Sequence, residues 1–239
     1  MSFFKRLVLF FFDTINSLRF KKIIKDENKK YNKVNDNSYN DNLYQNFYDN
    51  GYLILENYIS SEEIDKIKRD LKFEKKKVSW FYSNLVVKPN SVIEKILEDQ
   101  KIKKILKKYL GEDAKLDLIE ANKYILNPDK ISSSEKWHYD VVGRRVKIFL
   151  FLNSCDAIFT KYADGSNNIS HNYYSTNGSR ATDNFISKKF KKISTIKPKE
   201  GSLFIFDTNG FHKGVYRNDM KSDEINRLTL QMEFSSKSK

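Results

Sequence analysis

A chain of 239 residues with 39% hydrophobic and 14% aromatic content carries enough bulky apolar material for one large domain or two small ones, which excludes a wholly disordered protein. Its net charge of +13 favours anionic partners, but the lysines are scattered, and neither zinc-finger spacing nor an aromatic RNA-binding signature accompanies them, so a nucleic-acid partner is not expected. The single cysteine, Cys155, excludes an intrachain disulfide and a thiolate metal cluster, and it fits a reducing, cytoplasmic setting.

Residues 1–24 contain the apolar run Leu7–Phe12 with Lys5, Arg6, Arg19, Lys21 and Lys22 around it. The run is too short for a membrane span, which takes about 20 residues, and no small-residue cleavage site follows it. Two readings stand: a helix that docks on the domain or on another copy, or a helix lying in the membrane interface at its inner face, with its cations at anionic headgroups. Residues 25–43 are polar and read as a linker. The expected division is therefore an N-terminal helix and linker over 1–43 and one domain over 44–239.

Within that domain, Phe47 to Leu55 predicts a helix end, a turn at Gly51 and a strand. Ser60 followed by Glu62 and Glu63 predicts a helix start, with Ile64, Ile67 and Leu71 carrying the helical period. A second helix is expected across 91–110, ending at Gly111. Strands are then expected over 117–126, 136–142, 145–153, 192–196, 202–207, 214–216 and 227–234, interrupted by a long polar stretch at 162–182 with turn signals. Arg145 to Leu152 mixes alternation with a continuous apolar run, the pattern of a well-buried strand. Helices first and short strands after predict a mainly β fold with helical padding (α+β), built on a double-stranded β-helix of the jelly-roll or cupin-like kind.

The chemistry gathers around Trp137-His138-Tyr139-Asp140. On a strand His138 and Asp140 share a face, and one imidazole with one carboxylate makes two thirds of a facial triad for non-haem Fe(II). The motif alone is weak. His212, 74 residues later (212 − 138), is the candidate third ligand. His171 is the rival, but it sits in the Asn- and Ser-rich stretch. Arg227 opens the last strand and shares a face with Thr229. A guanidinium fork beside a hydroxyl is what the distal carboxylate of a keto acid needs. The plainer reading pairs Arg227 with Glu233, and Arg217 competes as an anchor from the preceding loop. Asn122 and Tyr124 alternate onto one face of an earlier strand and are candidates for touching the cosubstrate. Arg144, Arg145, His171, Tyr173 and Tyr174 are candidates for binding an anionic substrate.

In combination and in order, these segments resemble the phytanoyl-CoA dioxygenase family of Fe(II)/2-oxoglutarate-dependent oxygenases. The likeness covers residues 44–236. It runs from Phe47–Leu55 and Ile59–Ile64 through Trp137–Asp140, Lys147–Asn153 and Ala157–Ser166 to Gly201–Gly214 and Arg227. The chain departs from the family at Asp164 and Asn167, where Pro and His are usual, and residues 1–40 have no counterpart. The resemblance implies that His138, Asp140 and His212 hold Fe(II), that 2-oxoglutarate is the cosubstrate with its far carboxylate on Arg227, and that O2 is the oxidant. It further implies hydroxylation of a small molecule, either anionic, lipid-linked or carbohydrate. Related halogenases lack a carboxylate at the position of Asp140, so hydroxylation is expected over halogenation. The alternatives are a non-catalytic jelly-roll binding module and a basic protein of nucleic-acid or membrane surfaces. Retention of all three ligands and Arg227 argues against the binding module.

Overall fold

The computed structural model describes residues 15, 22, 42–71, 81–84, 91–125, 133–140, 144–168, 180–197, 199–216 and 226–236. Apart from Ile15 and Lys22, the segment read as a docking or membrane-surface helix lies outside the described residues. No described helix is long and apolar enough to cross a membrane.

Four helices flank the early strands. They are α1 (Asn42–Asn50), α2 (Ser61–Asp70), α3 (Ser91–Glu98) and α4 (Gln100–Leu110). The predicted start of α2 is met by a capping box: the Ser60 hydroxyl accepts from Glu63 N, and the Glu63 carboxylate accepts from Ser60 N. The single helix expected over 91–110 is two. Asp99 breaks it because its carboxylate accepts from the backbone N–H of Lys101 and Ile102 and so caps a new helix.

The strands form two antiparallel sheets. The larger has the order β1-β9-β5-β11-β3-β2, with β1 (Tyr52–Leu55), β2 (Phe81–Asn84), β3 (Lys115–Ile125), β5 (Arg145–Phe151), β9 (Leu203–Asp207) and β11 (Asn226–Ser235). The smaller has the order β7-β4-β10-β6-β8, with β4 (Trp137–His138), β6 (Ile158–Ala163), β7 (Arg180–Ala181), β8 (Ile193–Ile196) and β10 (His212–Tyr216).

Both faces of the larger sheet are buried, as the apolar run in β5 predicts. Val146, Ile148, Leu150, Ile205, Leu230 and Met232 face outward into a core shared with Phe47, Ile64, Ile67, Ile96 and Tyr109 of the helices. Phe149, Phe151, Phe204 and Phe206 face inward and meet Tyr162 and Ile196 of the smaller sheet. Along β11 the inward positions are all polar: Arg227, Thr229, Gln231 and Glu233, each buried. Period-two alternation therefore places a polar stripe inside the sandwich.

Two expectations fail here. The strand foreseen over 136–142 contracts to Trp137–His138, and Asp140 lies beyond its end. The polar stretch foreseen from Tyr162 begins later: Tyr162 and Ala163 belong to β6, and Ser166 and Asn167 are buried. A short helix that the sequence did not signal, α5 (Asp183–Lys189), covers the outer face of the smaller sheet. There Trp137, Tyr139, Ala181, Ile186, Phe190 and Phe211 pack together.

Candidate metal centre

His138 and His212 are directly opposite one another in the β4–β10 ladder. Opposed residues of an antiparallel pair project from the same face, so the ladder alone brings the two imidazoles together, their centroids 4.3 Å apart. Asp140 arrives differently from the expected alternation. Its backbone N–H donates to Thr208 O at 2.9 Å, which pins the chain just after β4 to the turn that precedes β10. The result is one cluster. His138 Nε2 lies 3.5 Å and His212 Nε2 3.8 Å from Asp140 Oδ1, and all three ligand atoms fall within 4.8 Å of one another.

Each imidazole is oriented by its own chain. His138 Nδ1 donates to Lys136 O at 2.8 Å, and His212 Nδ1 donates to Gly210 O at 2.9 Å. Protonation at Nδ1 leaves the Nε2 lone pair pointing at Asp140, as metal ligation requires. Burial pushes the His138 imidazole down to about 3 and lowers His212 as well, so both are neutral near pH 7. Burial would raise Asp140, but His212 and Lys147 outweigh it and hold the carboxylate at about 2. Two neutral imidazoles and one carboxylate are the donor set of a facial triad. Ligands at right angles on bonds of about 2.1 Å sit about 3 Å apart, so each histidine–aspartate separation would close by less than an ångström around an ion.

Lys147, not singled out in the sequence, completes the surroundings. Its ammonium donates to Asp140 Oδ2 at 2.6 Å and reaches Glu233 Oε1 at 3.2 Å. One carboxylate oxygen is thereby occupied and the other left facing the histidines. Substituting Lys147 by Met should weaken Co(II) affinity about 10- to 100-fold, the usual effect of losing an outer partner of a metal ligand, as read by titration of the metal-free protein. Unchanged affinity would show that Lys147 does not position Asp140.

Arg227 and Thr229 lie on the inner stripe of β11, opposite Tyr124 and Asn122 of β3. Arg227 is buried with its guanidinium 4.5 Å from the Tyr124 ring centroid. Its Nε and NH1, together with Thr229 Oγ1, have no hydrogen-bond partner. Buried polar atoms are rarely left so, and a carboxylate would satisfy all three. Glu233 is not the partner of Arg227; it pairs with Arg145 and Lys147. Asn122 instead donates to Glu120 and Gln231.

No family model matches the sequence, and no curated protein matches it. Solved structures do. HygX from Streptomyces hygroscopicus, with nickel and 2-oxoglutarate bound, superposes with TM-score 0.57 at 14% identity over 84% of this chain and 89% of its own. EctD from S. alaskensis, with 2-oxoglutarate and 5-hydroxyectoine, gives 0.59 at 14% over 84% and 78%. SnoN, a non-haem α-ketoglutarate-dependent epimerase from nogalamycin biosynthesis, gives 0.58 at 11% over 81% and 82%. The chain shares their fold. The mainly β, jelly-roll expectation therefore holds.

The candidates for an anionic substrate fare differently. Arg144 is buried, lies 4.5 Å from the Tyr109 ring centroid and donates to Tyr109 O. Arg145 is held by Glu233. His171, Tyr173, Tyr174 and Arg217 lie outside the described residues.

Beneath β10 lies a polar network that sequence reasoning missed. The Tyr109 hydroxyl donates to Asp207 Oδ2, Asn167 Nδ2 donates to the Tyr109 hydroxyl at 3.0 Å, and the Tyr162 hydroxyl donates to Asp207 O at 2.8 Å. Ser166 Oγ accepts from Phe211 N at 2.7 Å. Asn167, noted above only as a departure from the family pattern, is a structural member of this network. The turn that delivers His212 rests on it.

Proposed function

We propose that this chain is an Fe(II)/2-oxoglutarate-dependent oxygenase of the phytanoyl-CoA dioxygenase type, with its catalytic domain over residues 44–239, and that it hydroxylates a small molecule. We place it in the cytoplasm, with residues 1–24 as the segment that would meet a membrane surface. The observation that carries the reading is a tautomer-locked His138–Asp140–His212 cluster together with Arg227 Nε, Arg227 NH1 and Thr229 Oγ1, buried without hydrogen-bond partners on the inner stripe of the facing sheet. The 2-oxoglutarate bound to HygX and EctD, proteins of the same fold, supports it.

In this reading His138, Asp140 and His212 hold Fe(II). With 2-oxoglutarate and O2 the metal supplies the oxidising chemistry for an unreactive C–H bond. The neutral imidazoles bind without having to lose a proton. Lys147 keeps Asp140 ionised and oriented. Arg227 and Thr229 take the far carboxylate of the cosubstrate, and Tyr124 steadies the Arg227 guanidinium against its ring and hydroxyl. Asn122, opposite Thr229, borders the same position. The aromatic side chains Phe149, Phe151, Phe204 and Phe206 make the β5 and β9 wall of the inner space apolar and limit water there.

Anaerobic addition of Fe(II) and then 2-oxoglutarate should produce a metal-to-ligand charge-transfer band. The band should be lost in His138→Ala. In Arg227→Gln it should need roughly 100-fold more cosubstrate, the scale of unpairing a buried charge-assisted fork. No band in the wild type, or an unchanged titration in both variants, rejects the mechanism.

A further inference from the structure

The ladder that aligns the histidines continues to a cation that the chemistry above does not use. Arg180 of β7 stands opposite His138, as His138 stands opposite His212 and His212 opposite Tyr162. Arg180, His138, His212 and Tyr162 are thus successive members of one cross-strand row and project from the same face of the smaller sheet. Backbone pairing, rather than a flexible loop, sets Arg180 next to His138 in this row.

Its own interactions do not account for it there. Arg180 NH1 is buried and has no hydrogen-bond partner, and no ion pair joins Arg180 to a carboxylate among the described residues. Asp140 is the nearby acid whose charge Arg180 senses, but its Oδ2 is taken by Lys147 and its Oδ1 faces the two histidines. Glu233 is taken by Arg145 and Lys147. Asp183, three residues along the chain, binds Lys213 and the Trp137 indole N–H. These three acids are engaged, and this arginine retains a desolvated donor.

Arg227 and Arg180 belong to different sheets: Arg227 on β11 of the larger, Arg180 on the β7 edge of the smaller. Two guanidinium groups with unpartnered buried nitrogens, one on each sheet, suit two separate anions. The cosubstrate accounts for the first. We propose that Arg180 binds an anionic group of the substrate itself, a carboxylate or a phosphate, and so fixes the reacting carbon next to the metal. A planar fork meets either group through paired N–H donors. The proposal rests on the oxygenase reading, and it assigns the substrate class that reading leaves open.

The test uses the full chain loaded with Co(II) and 2-oxoglutarate, so that metal, cosubstrate and anion binding are read separately. The visible Co(II) spectrum reports the metal, and calorimetry reports acetate, methylphosphonate and, as the neutral control, acetamide. Wild type should bind acetate or methylphosphonate saturably and ignore acetamide; whichever anion binds identifies the group. Arg180→Gln should weaken that anion about ten-fold or more, with Co(II) and 2-oxoglutarate affinities unchanged. Arg180→Lys, which keeps the charge but not the fork, should retain part of the binding. Equal anion binding in wild type and Arg180→Gln, as for an anion seated on the metal, overturns the proposal. So does the absence of anion binding to wild type, and so does loss of 2-oxoglutarate in Arg180→Gln. Failure of wild type to bind Co(II) and 2-oxoglutarate at all is a different result: it removes the oxygenase reading and this proposal with it.

Discussion

Gly210→Ala is expected to destabilise the domain by about 3 kcal/mol or more and to weaken metal binding with it, the sum of overpacking and a disturbed buried hydrogen bond. A Cβ at Gly210 would overlap the Tyr162 hydroxyl and lie 3.1 Å from Ser166 Oγ. Neither neighbour can yield cheaply. Tyr162 is fully buried, its ring lies among Tyr52, Phe206 and His212, and its hydroxyl donates to Asp207 O. Ser166 is fully buried and holds Phe211 N. The backbone of residue 210 must therefore move, and its carbonyl is the group that orients His212. Urea denaturation and Co(II) titration check the two halves together. A variant within about 1 kcal/mol of wild type, with normal Co(II) affinity, would show that the turn adapts freely.

The second large effect concerns Asp207. Its carboxyl is fully buried, and that burial pushes it up from 3.8 to about 7 despite bonds from Tyr109, Asn209 and the Arg145 backbone and the nearby Arg144 charge. Between about pH 4 and 7 the folded chain keeps this proton while the unfolded chain has released it. The contribution of Asp207 is thus fully present below the unfolded value and is lost as pH rises through the folded value. His138 and His212 act in the opposite sense, because their folded values are lowered from 6.5. Comparison with Asp207→Asn isolates the carboxyl. The stability of Asp207→Asn relative to wild type should rise by a few kcal/mol from about pH 4 to about pH 7, measured by denaturant melts of the metal-free proteins. A pH-independent difference would mean that Asp207 is ionised in the fold across the whole range.

Much of the framework was legible because it depends on local rules. The Ser60–Glu63 cap, the alternation in the last strand and the doubly buried Arg145–Leu152 run each express a preference of a few adjacent residues. The candidate metal site was legible in composition but not in construction. His138 and His212 meet through strand register, and Asp140 meets them through a bond to Thr208 rather than through strand periodicity. Lys147, Arg180 and Asp207 went unread for the same reason: their significance lies in what stands opposite them on other strands, and pairing register cannot be read from one strand alone. Asp99 could have been found, since an aspartate ahead of a renewed apolar period is an ordinary cap signal.

β4 and β7 are each only two residues long, so few backbone bonds secure that end of the smaller sheet. His138 sits on β4, and His212 lies 74 residues further along (212 − 138) on β10. A divalent ion would join these two distant segments in the folded chain, where the two histidines stand opposite one another. It would also add its binding energy to the folded state alone. The ion would then be a staple as well as a reagent, with the short strands kept in place by coordination, and this edge would be the part of the domain that opens first when the metal leaves.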